Sequence, residues 1–521
     1  MDSDGGGLRC VDREPPYWHH LGKLDVAASP LIAETMQRHL PFIALLLLPL
    51  AAHAHVNSPD VYYDTSAGPY HLLVTVRPAT VVPGVAQIEI RSADSDVEQI
   101  KVLPLPMVGA AGKFAPVADT AERDPQDAQL FHGKLWLMDR GSWKVQLQVQ
   151  GKRGPGETAV PVPAISTNTA RMQKTRGLIL AILGFALLAG FVSIIGAAAR
   201  DAELAPGKTP APAQRRRGRI RAAFAGAIAA LVLFFGNAWW NAEAAANARM
   251  NYKLPQLQTQ LLTDGVLQLK LQNPNPPAPN RFRTDPPDRI VLNDLVPDHG
   301  HLMHLFLVRM PDMTSFWHLH PQQSGEGLFA AQLPAMPAGR YRIFADIVHH
   351  TGFPETQVGT VDVPPSFNAA SSQNQSADPD DSGVSEAPAS GDTARLADGY
   401  RLVWERTNTT LHASEPLWFR FRLEDSLGRP AQGMEDYTGM AGHAVFLSDD
   451  GSVFAHVHPA GSVPMAALAI AGDSMAGMHQ PPQNAEVAFP YGFPKSGSYH
   501  LFVQVKRAGK VETAVFQAKV D

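Results

Sequence analysis

Six histidines are spaced so as to meet on two pairs of strands. His304 opens the phrase His304-Leu-Phe-Leu-Val308, and Phe316-Trp-His-Leu-His-Pro321 follows it with His318 and His320 two residues apart. The pattern returns downstream as Gly442-His-Ala-Val-Phe-Leu447 and Phe454-Ala-His-Val-His-Pro459, which supply His443, His456 and His458. Side chains two apart on a strand share a face. Asp450-Gly451 is a two-residue hairpin signal, and centring the turn there sets His443 opposite His458 and Val445 opposite His456. In the earlier copy a three-residue loop, Pro311-Asp-Met313, sets His304 opposite His320 and Phe306 opposite His318. Cross-strand partners lie about 5 Å apart at the β-carbons, so each hairpin gathers three imidazoles on one face.

Three imidazoles can give three nitrogen ligands to one ion, and imidazole suits copper and zinc. Two metal sites are expected, His304, His318 and His320 in the first and His443, His456 and His458 in the second. Residues of second rank stand nearby: His299 and His301 before His304, Met440 before His443, and the cluster Met475, Met478 and His479. Thioethers favour Cu(I), which puts copper ahead of zinc as the expected cofactor. Met303 would point away from His304 in a regular strand, and His349, His350 and His500 have weaker claims. The plain alternative is that these are hydrogen-bonded core histidines and that the methionines fill gaps. The same three-histidine face in two places weighs against that alternative.

The elements that must position these residues are strands. Trp143-Lys-Val-Gln-Leu-Gln-Val-Gln150 alternates apolar and polar residues, as a strand with one buried face does. His71–Val76, Ala86–Ile90, Gly133–Leu137 and Val266–Gln272 add candidates between Pro and Gly turn signals. His71 and His132 lack ligand spacing and read as surface or structural residues. Gly141-Ser-Trp143, Gly339-Arg-Tyr341 and Gly497-Ser-Tyr499 each precede an alternating strand, which marks an internal repeat. The fold expected is mainly β: three immunoglobulin- or cupredoxin-like sandwiches at 55–170, 250–364 and 395–521. The last two carry the histidine hairpins. Residues 365–394, rich in Ser, Asn, Asp, Pro and Ala, read as a disordered linker between two separate sites.

Composition limits the rest. The net charge of -5 gives no reason to expect a nucleic-acid partner, and a single cysteine, Cys10, excludes a disulfide framework and thiolate ligation. Residues 36–54 resemble a secretory signal, with an apolar run ending at Ala52-His53-Ala54, and 1–35 read as a non-native extension ahead of a start at Met36. An uncleaved anchor helix is the alternative. Cleavage after Ala54 would leave His55 at the mature N-terminus, where amine and imidazole can chelate copper; cleavage after Ala52 would leave His53. Uncharged stretches at 177–199 and 222–240 are long enough to span a bilayer. The basic loop 200–221 between them marks the cytoplasmic side, and the signal independently sets the flanking domains outside. The expected location is a bacterial inner membrane with domains in the periplasm.

The hairpin phrases, together with Ala67-Gly-Pro-Tyr70 and the two-span insert, resemble those of an uncharacterised family of bacterial membrane-anchored periplasmic proteins. The separate sandwiches are similar, more distantly, to YtkA-like and CopC-like copper-handling domains. That resemblance implies a copper role for the N-terminal histidine, here His55 alone, and copper-transport or oxidase proteins as partners. The function expected is membrane-anchored copper binding for tolerance, delivery or metalation of a partner. The alternative is a non-metal scaffold or assembly factor that docks a membrane complex. No triad, phosphate loop or paired acid–base motif points to an enzyme; an oxidase built on copper at His55 is the remaining possibility of that kind.

Overall fold

A computed structural model describes residues 60–108, 116–274, 292–367, 378–396, 399–406, 410–472 and 485–521. Residues 1–59, where an extension and a secretory signal are expected and which include His53 and His55, lie outside the described residues, as do Met475, Met478 and His479. Residues 54–521 form one compact unit, and the fold is mainly β, with six sheets that pair into three sandwiches and two long apolar helices.

The first sandwich packs a five-stranded sheet, carrying Tyr70–Arg77, Gly84–Ser92 and Leu130–Leu137, on a four-stranded one with Val97–Pro106, Gly141–Gly151 and Gly154–Ala164. Its core alternates as the sequence does: Val145, Leu147 and Val149 are fully buried against Leu72, Val74, Ile88 and Ile90. The second sandwich sets the sheet of Val266–Lys270 and Leu328–Gln332 on one whose centre is Gly339–His349, His304–Met310 and Ser315–Leu319. The third repeats this plan with Leu417–Glu424 and Glu486–Tyr491 on one layer and Gly497–Arg507, His443–Ser448 and Phe454–Val457 on the other.

The repeat is visible in detail. Gly141, Gly339 and Gly497 each hold a positive φ of 120°, 147° and 141°, open to glycine at little cost. Each starts an 11-residue strand. Two residues on, Trp143, Tyr341 and Tyr499 donate a hydrogen bond to the backbone carbonyl four residues back, at Asp139, Pro337 and Lys495. The same corner is thus locked three times.

Both histidine hairpins adopt the register expected of them, with Phe306 opposite His318 and Val445 opposite His456. Their outer faces, however, are not exposed. Leu305 and Leu307 fill the second core, while Phe306, Val308, Phe316 and Phe344 leave from the other face and meet Val445, Leu447, Phe454 and Phe502 of the third sandwich. The contacts obey a pseudo-two-fold. Phe316 stacks on Phe502 at 4.3 Å, and its counterpart Phe454 stacks on Phe344 at 4.2 Å. Residue i meets j and the equivalent of j meets the equivalent of i, as in an isologous dimer interface.

Two expectations are corrected here. The hairpin faces are not separate sites joined by a linker; they are pressed together. Nor is 365–394 a disordered linker throughout: within it Ser382–Ser385 pairs with Ser315–Leu319 as an edge strand. Composition undercounted what holds it. The strand is fastened by main-chain pairing, by the Lys506–Asp380 ion pair at 2.8 Å and by Tyr437, which donates to the Asp380 carbonyl. Residues 368–377 lie outside the described set.

The long helices α1 (Lys174–Asp201) and α2 (Pro212–Arg249) are long and apolar enough to cross a membrane. Their outward side chains include Leu183, Phe185, Phe191, Leu233, Phe234 and Trp239, all exposed. They approach closely where Gly196 faces Gly218 and Ala222, small residues that let backbones touch. The second helix starts within the basic run, earlier than the expected span. A short helix, α3 (Met465–Ala471), ties the third sandwich to the first, with Met465, Ala467 and Leu468 entering the first sandwich's core. Asp64 donates its amide to Ala460 and Ser462 donates to Tyr62 across the same junction.

Phe454 is fully buried at the pseudo-two-fold. Phe454→Ala should lower the unfolding free energy of the detergent-solubilised chain by about 3–5 kcal/mol, measured by denaturant titration; a loss under about 1 kcal/mol would mean that this interface is not packed as described.

Candidate metal centre

Strand periodicity decides what shares the interface with the phenylalanines. His304 lies on the same face as Phe306 and Val308, His443 on the face of Val445 and Leu447, and the His-x-His pairs lie opposite them. The imidazoles of His299, His301, His304, His318, His320, His443, His456 and His458 therefore form one continuous cluster between the two sheets. Within the second sandwich the rings of His304, His318 and His320 stand 4.7–5.3 Å apart. Those of His443, His456 and His458 form a matching triangle of 4.5–5.3 Å. Across the interface His304 lies 5.4 Å from His456 and 6.5 Å from His443.

Acceptor-only partners fix which nitrogen of each ring carries the proton. His304 Nε2 lies 3.1 Å from the Asp298 carbonyl, so it donates there and Nδ1 keeps its lone pair. His318 Nδ1 donates to Gln504 Oε1 at 3.0 Å, shared with the Tyr437 hydroxyl oxygen, and Nε2 is bare. The Gln504 amide is oriented by its own donation to Ser382. His320 Nδ1 donates to Asp381 at 3.0 Å, leaving a buried Nε2 without a partner. His304 Nδ1 and His318 Nε2 thus face each other at 3.1 Å with two lone pairs. One ligand atom from each of the three residues falls within 4.8 Å of the others. Anchoring the far nitrogen by a carbonyl, amide or carboxylate is how proteins aim metal-ligating histidines.

The second group is built likewise, with one substitution. His299 Nδ1 donates to the Thr438 carbonyl at 2.9 Å, and His443 Nε2 donates to the Thr438 hydroxyl, which itself donates to Tyr437. Their other nitrogens, His299 Nε2 and His443 Nδ1, are buried and unpartnered. His458 has neither nitrogen in a well-formed hydrogen bond. These three bring ligand atoms within 4.8 Å of one another. His456 points Nδ1 at Asp346, 3.4 Å away across the interface, mirroring His318 and Gln504, and its Nε2 is free. A third group joins His301, His320 and Asp378.

Burial, reinforced by neighbouring imidazoles, holds His304, His318, His443 and His458 well below the usual histidine range. Burial also lowers His299, against the pull of Asp298. These rings are neutral at pH 7, the state in which imidazole binds metal.

All six first-rank histidines meet in this cluster, but as one assembly, and His299 takes the place expected for His456 in the second close group. His299 belongs inside it, and His301 stands at its solvent-facing edge. They sit on a tight turn, with φ of 52° at His299 and 87° at Gly300, that the spacing argument could not orient. Met440 occupies the position equivalent to His301 and packs with Ala460, Val463 and the first sandwich. Met303 is in the second core. His349 and His350 pair with Asp294, and His500 with Asp449, each outside the cluster. Sequence reasoning missed Asp298, Asp346, Asp378, Asp381, Tyr437, Thr438 and Gln504. One signal was available: His304-Leu-Phe-Leu-Val308 and His443-Ala-Val-Phe-Leu447 do not alternate, which is the mark of a strand buried on both faces.

A family model described as a domain of unknown function (DUF8832) matches residues 267–364 and 394–521, which takes in most of both histidine-bearing sandwiches. No curated protein matches the chain. Among solved structures, a bacterial ice-binding adhesin is similar at 6% identity over 84% of this chain and 91% of its own, with a TM-score of 0.13. The native α-2-macroglobulin of E. coli is similar at 9% identity over 90% of this chain, with a TM-score of 0.20. An engineered protein shares 15% identity over 18% of this chain, with a TM-score of 0.15. The chain spans only 20% of that engineered protein's length and 23% of the macroglobulin's. Likeness at this level says nothing of function.

The lowered histidines give the cluster a pH signature. Above about pH 6.5 they are neutral in both folded and unfolded chains; below it the unfolded chain takes up protons that the folded chain refuses. Stability is therefore complete at higher pH and lost as pH falls through and below about 6.5. Denaturant midpoints of chelator-stripped protein should drop steadily from pH 7 to pH 5, and a flat profile would contradict a neutral, buried cluster.

Proposed function

We propose that the chain is a membrane-anchored metal-binding protein whose histidine cluster takes copper, with zinc as the alternative ion. The observation that carries this is the set of bare ring nitrogens. Leaving a buried polar group unpaired costs about 1–3 kcal/mol each, and here several converge on two close groups in which every ring but that of His458 has its opposite nitrogen anchored. A bound cation would satisfy them together. Water could satisfy some, but the facing lone pairs of His304 and His318 leave no room for one between them.

Copper is favoured because it stands highest among divalent first-row ions for nitrogen sites. Met440 packs with the first sandwich, and Met475 and Met478 lie outside the described residues, so the choice of copper rests here on the imidazoles. Three imidazoles with an open position also suit zinc. The role is binding, not catalysis, in copper tolerance, delivery or metalation of a partner, with the sandwiches on the periplasmic side of a bacterial inner membrane. The basic run at Arg215, Arg216 and Arg217, in the opening turns of α2 beside the loop that joins the two helices, supports that orientation.

Full-length protein purified in detergent and dialysed against micromolar copper should retain one ion per triad, and His304→Asn with His318→Asn should lose one of them while keeping a native circular dichroism spectrum. If the wild-type chain retains neither Cu(I), Cu(II) nor Zn(II), the reading fails. For orientation, Lys208→Cys in a Cys10→Ser background should react with an impermeant maleimide only after the inner membrane is opened; labelling in intact spheroplasts would reverse the topology.

A further inference from the structure

The two triads are alike in shape but not in their access to solvent. His320 belongs to two candidate groups at once, the buried triad with His304 and His318 and an outer group with His301 and Asp378. The His301 ring stacks on that of His320 at 3.9 Å. Asp378 lies 3.5 Å from His301 Nδ1 and 3.9 Å from His320 Nδ1. The side chains of His301 and Asp378 are 17% and 13% exposed, while that of His320 is wholly buried.

On the pseudo-equivalent side the described residues leave no such opening. Met440 stands where His301 would be and is buried against the first sandwich. The turn after His458 is closed by backbone contact: Gly461 sits so tightly on Tyr62 that a Cβ there would lie 2.0 Å from its carbonyl oxygen.

We propose that His301 and Asp378 form a loading port, through which a copper ion enters and passes to the His304–His318–His320 triad by ligand exchange at His320. This rests on the metal-binding reading. The port offers what a first contact needs: a carboxylate to attract a cation, a partly exposed imidazole to hold it, and a shared third ligand already aimed inward. Asp381 adds negative charge beside His301, while that of Asp380 is balanced by Lys506. Because His320 cannot complete both groups together, the port is a transient stop. The far group, His299, His443 and His458, is served from the same side. His456 lies between, its ring 5.4 Å from His304 and 4.5 Å from His458, with Nε2 unpartnered.

The test mixes metal-stripped, full-length protein in detergent with Cu(I) held by bicinchoninate and follows loss of the chelate's colour by stopped flow. Asp378→Asn and His301→Gln, both at partly exposed positions, should each slow uptake by about tenfold or more while the copper bound at equilibrium stays at the wild-type level. Wild-type uptake rates in both variants would overturn the port. So would a lower equilibrium copper content, which would make these residues resident ligands. Failure of the wild-type chain to take copper at all would instead overturn the binding reading, and the port with it.

Discussion

An imidazole held between two packed sheets must be neutral, and it must have something to do with both of its nitrogens. That constraint organises this molecule. The distance between the sheets is not set by the histidines. It is set at the other end of the same strands, where Phe316 stacks on Phe502 and Phe344 on Phe454. Apolar burial supplies the free energy, and the histidines, lying further along the same faces, are carried into contact by it. Facing lone pairs, which repel each other, are kept at short range by aromatic packing that extends to His318 itself, on which Phe306 stacks at 4.3 Å.

The same constraint accounts for the polar groups around the cluster. Several of the rings are gripped on the outer nitrogen by an acceptor that is itself held: Gln504 by Ser382, Thr438 by Tyr437, Asp346 by Thr356. Asp298 has the widest reach. Its carbonyl fixes His304, and its carboxylate accepts the amide of Ala466 at 2.7 Å, at the start of α3, which is seated in the first sandwich. The geometry of the histidine cluster is therefore coupled by short bonds to the domain from which the chain enters its first long helix.

Much of this was legible in the sequence, for a physical reason. Hairpin register follows from local turn chemistry, so the pairing of Val445 with His456 and Phe306 with His318 needed only Asp450-Gly451 and a loop of the right length. The triple corner at Trp143, Tyr341 and Tyr499 was legible as a Gly-x-aromatic repeat. The meeting of the two hairpins was not, because strand spacing says which side chains share a face and nothing about what covers that face. Asp378 and Ser382 were hidden by their surroundings, since a short edge strand pinned by hydrogen bonds has the composition of a linker. His299 and His301 were legible as histidines but not as neighbours of His443, because the backbone at His299 and Gly300 takes left-handed angles that no spacing rule anticipates.

The pseudo-two-fold has a further consequence. In a true homodimer every substitution appears twice, so both halves of a shared site must stay identical, and the site disperses when the protein is dilute. Here the halves are joined in one chain. Their local concentration does not depend on expression level, and each position can change alone. The turn that reads His299-Gly300-His301 in one half reads Thr438-Gly439-Met440 in the other, with the same pair of positive φ angles, 52° and 87° against 50° and 85°. One backbone shape has been given imidazoles on one side of the axis and a hydroxyl and a thioether on the other. A symmetric assembly cannot have a front and a back; this one does.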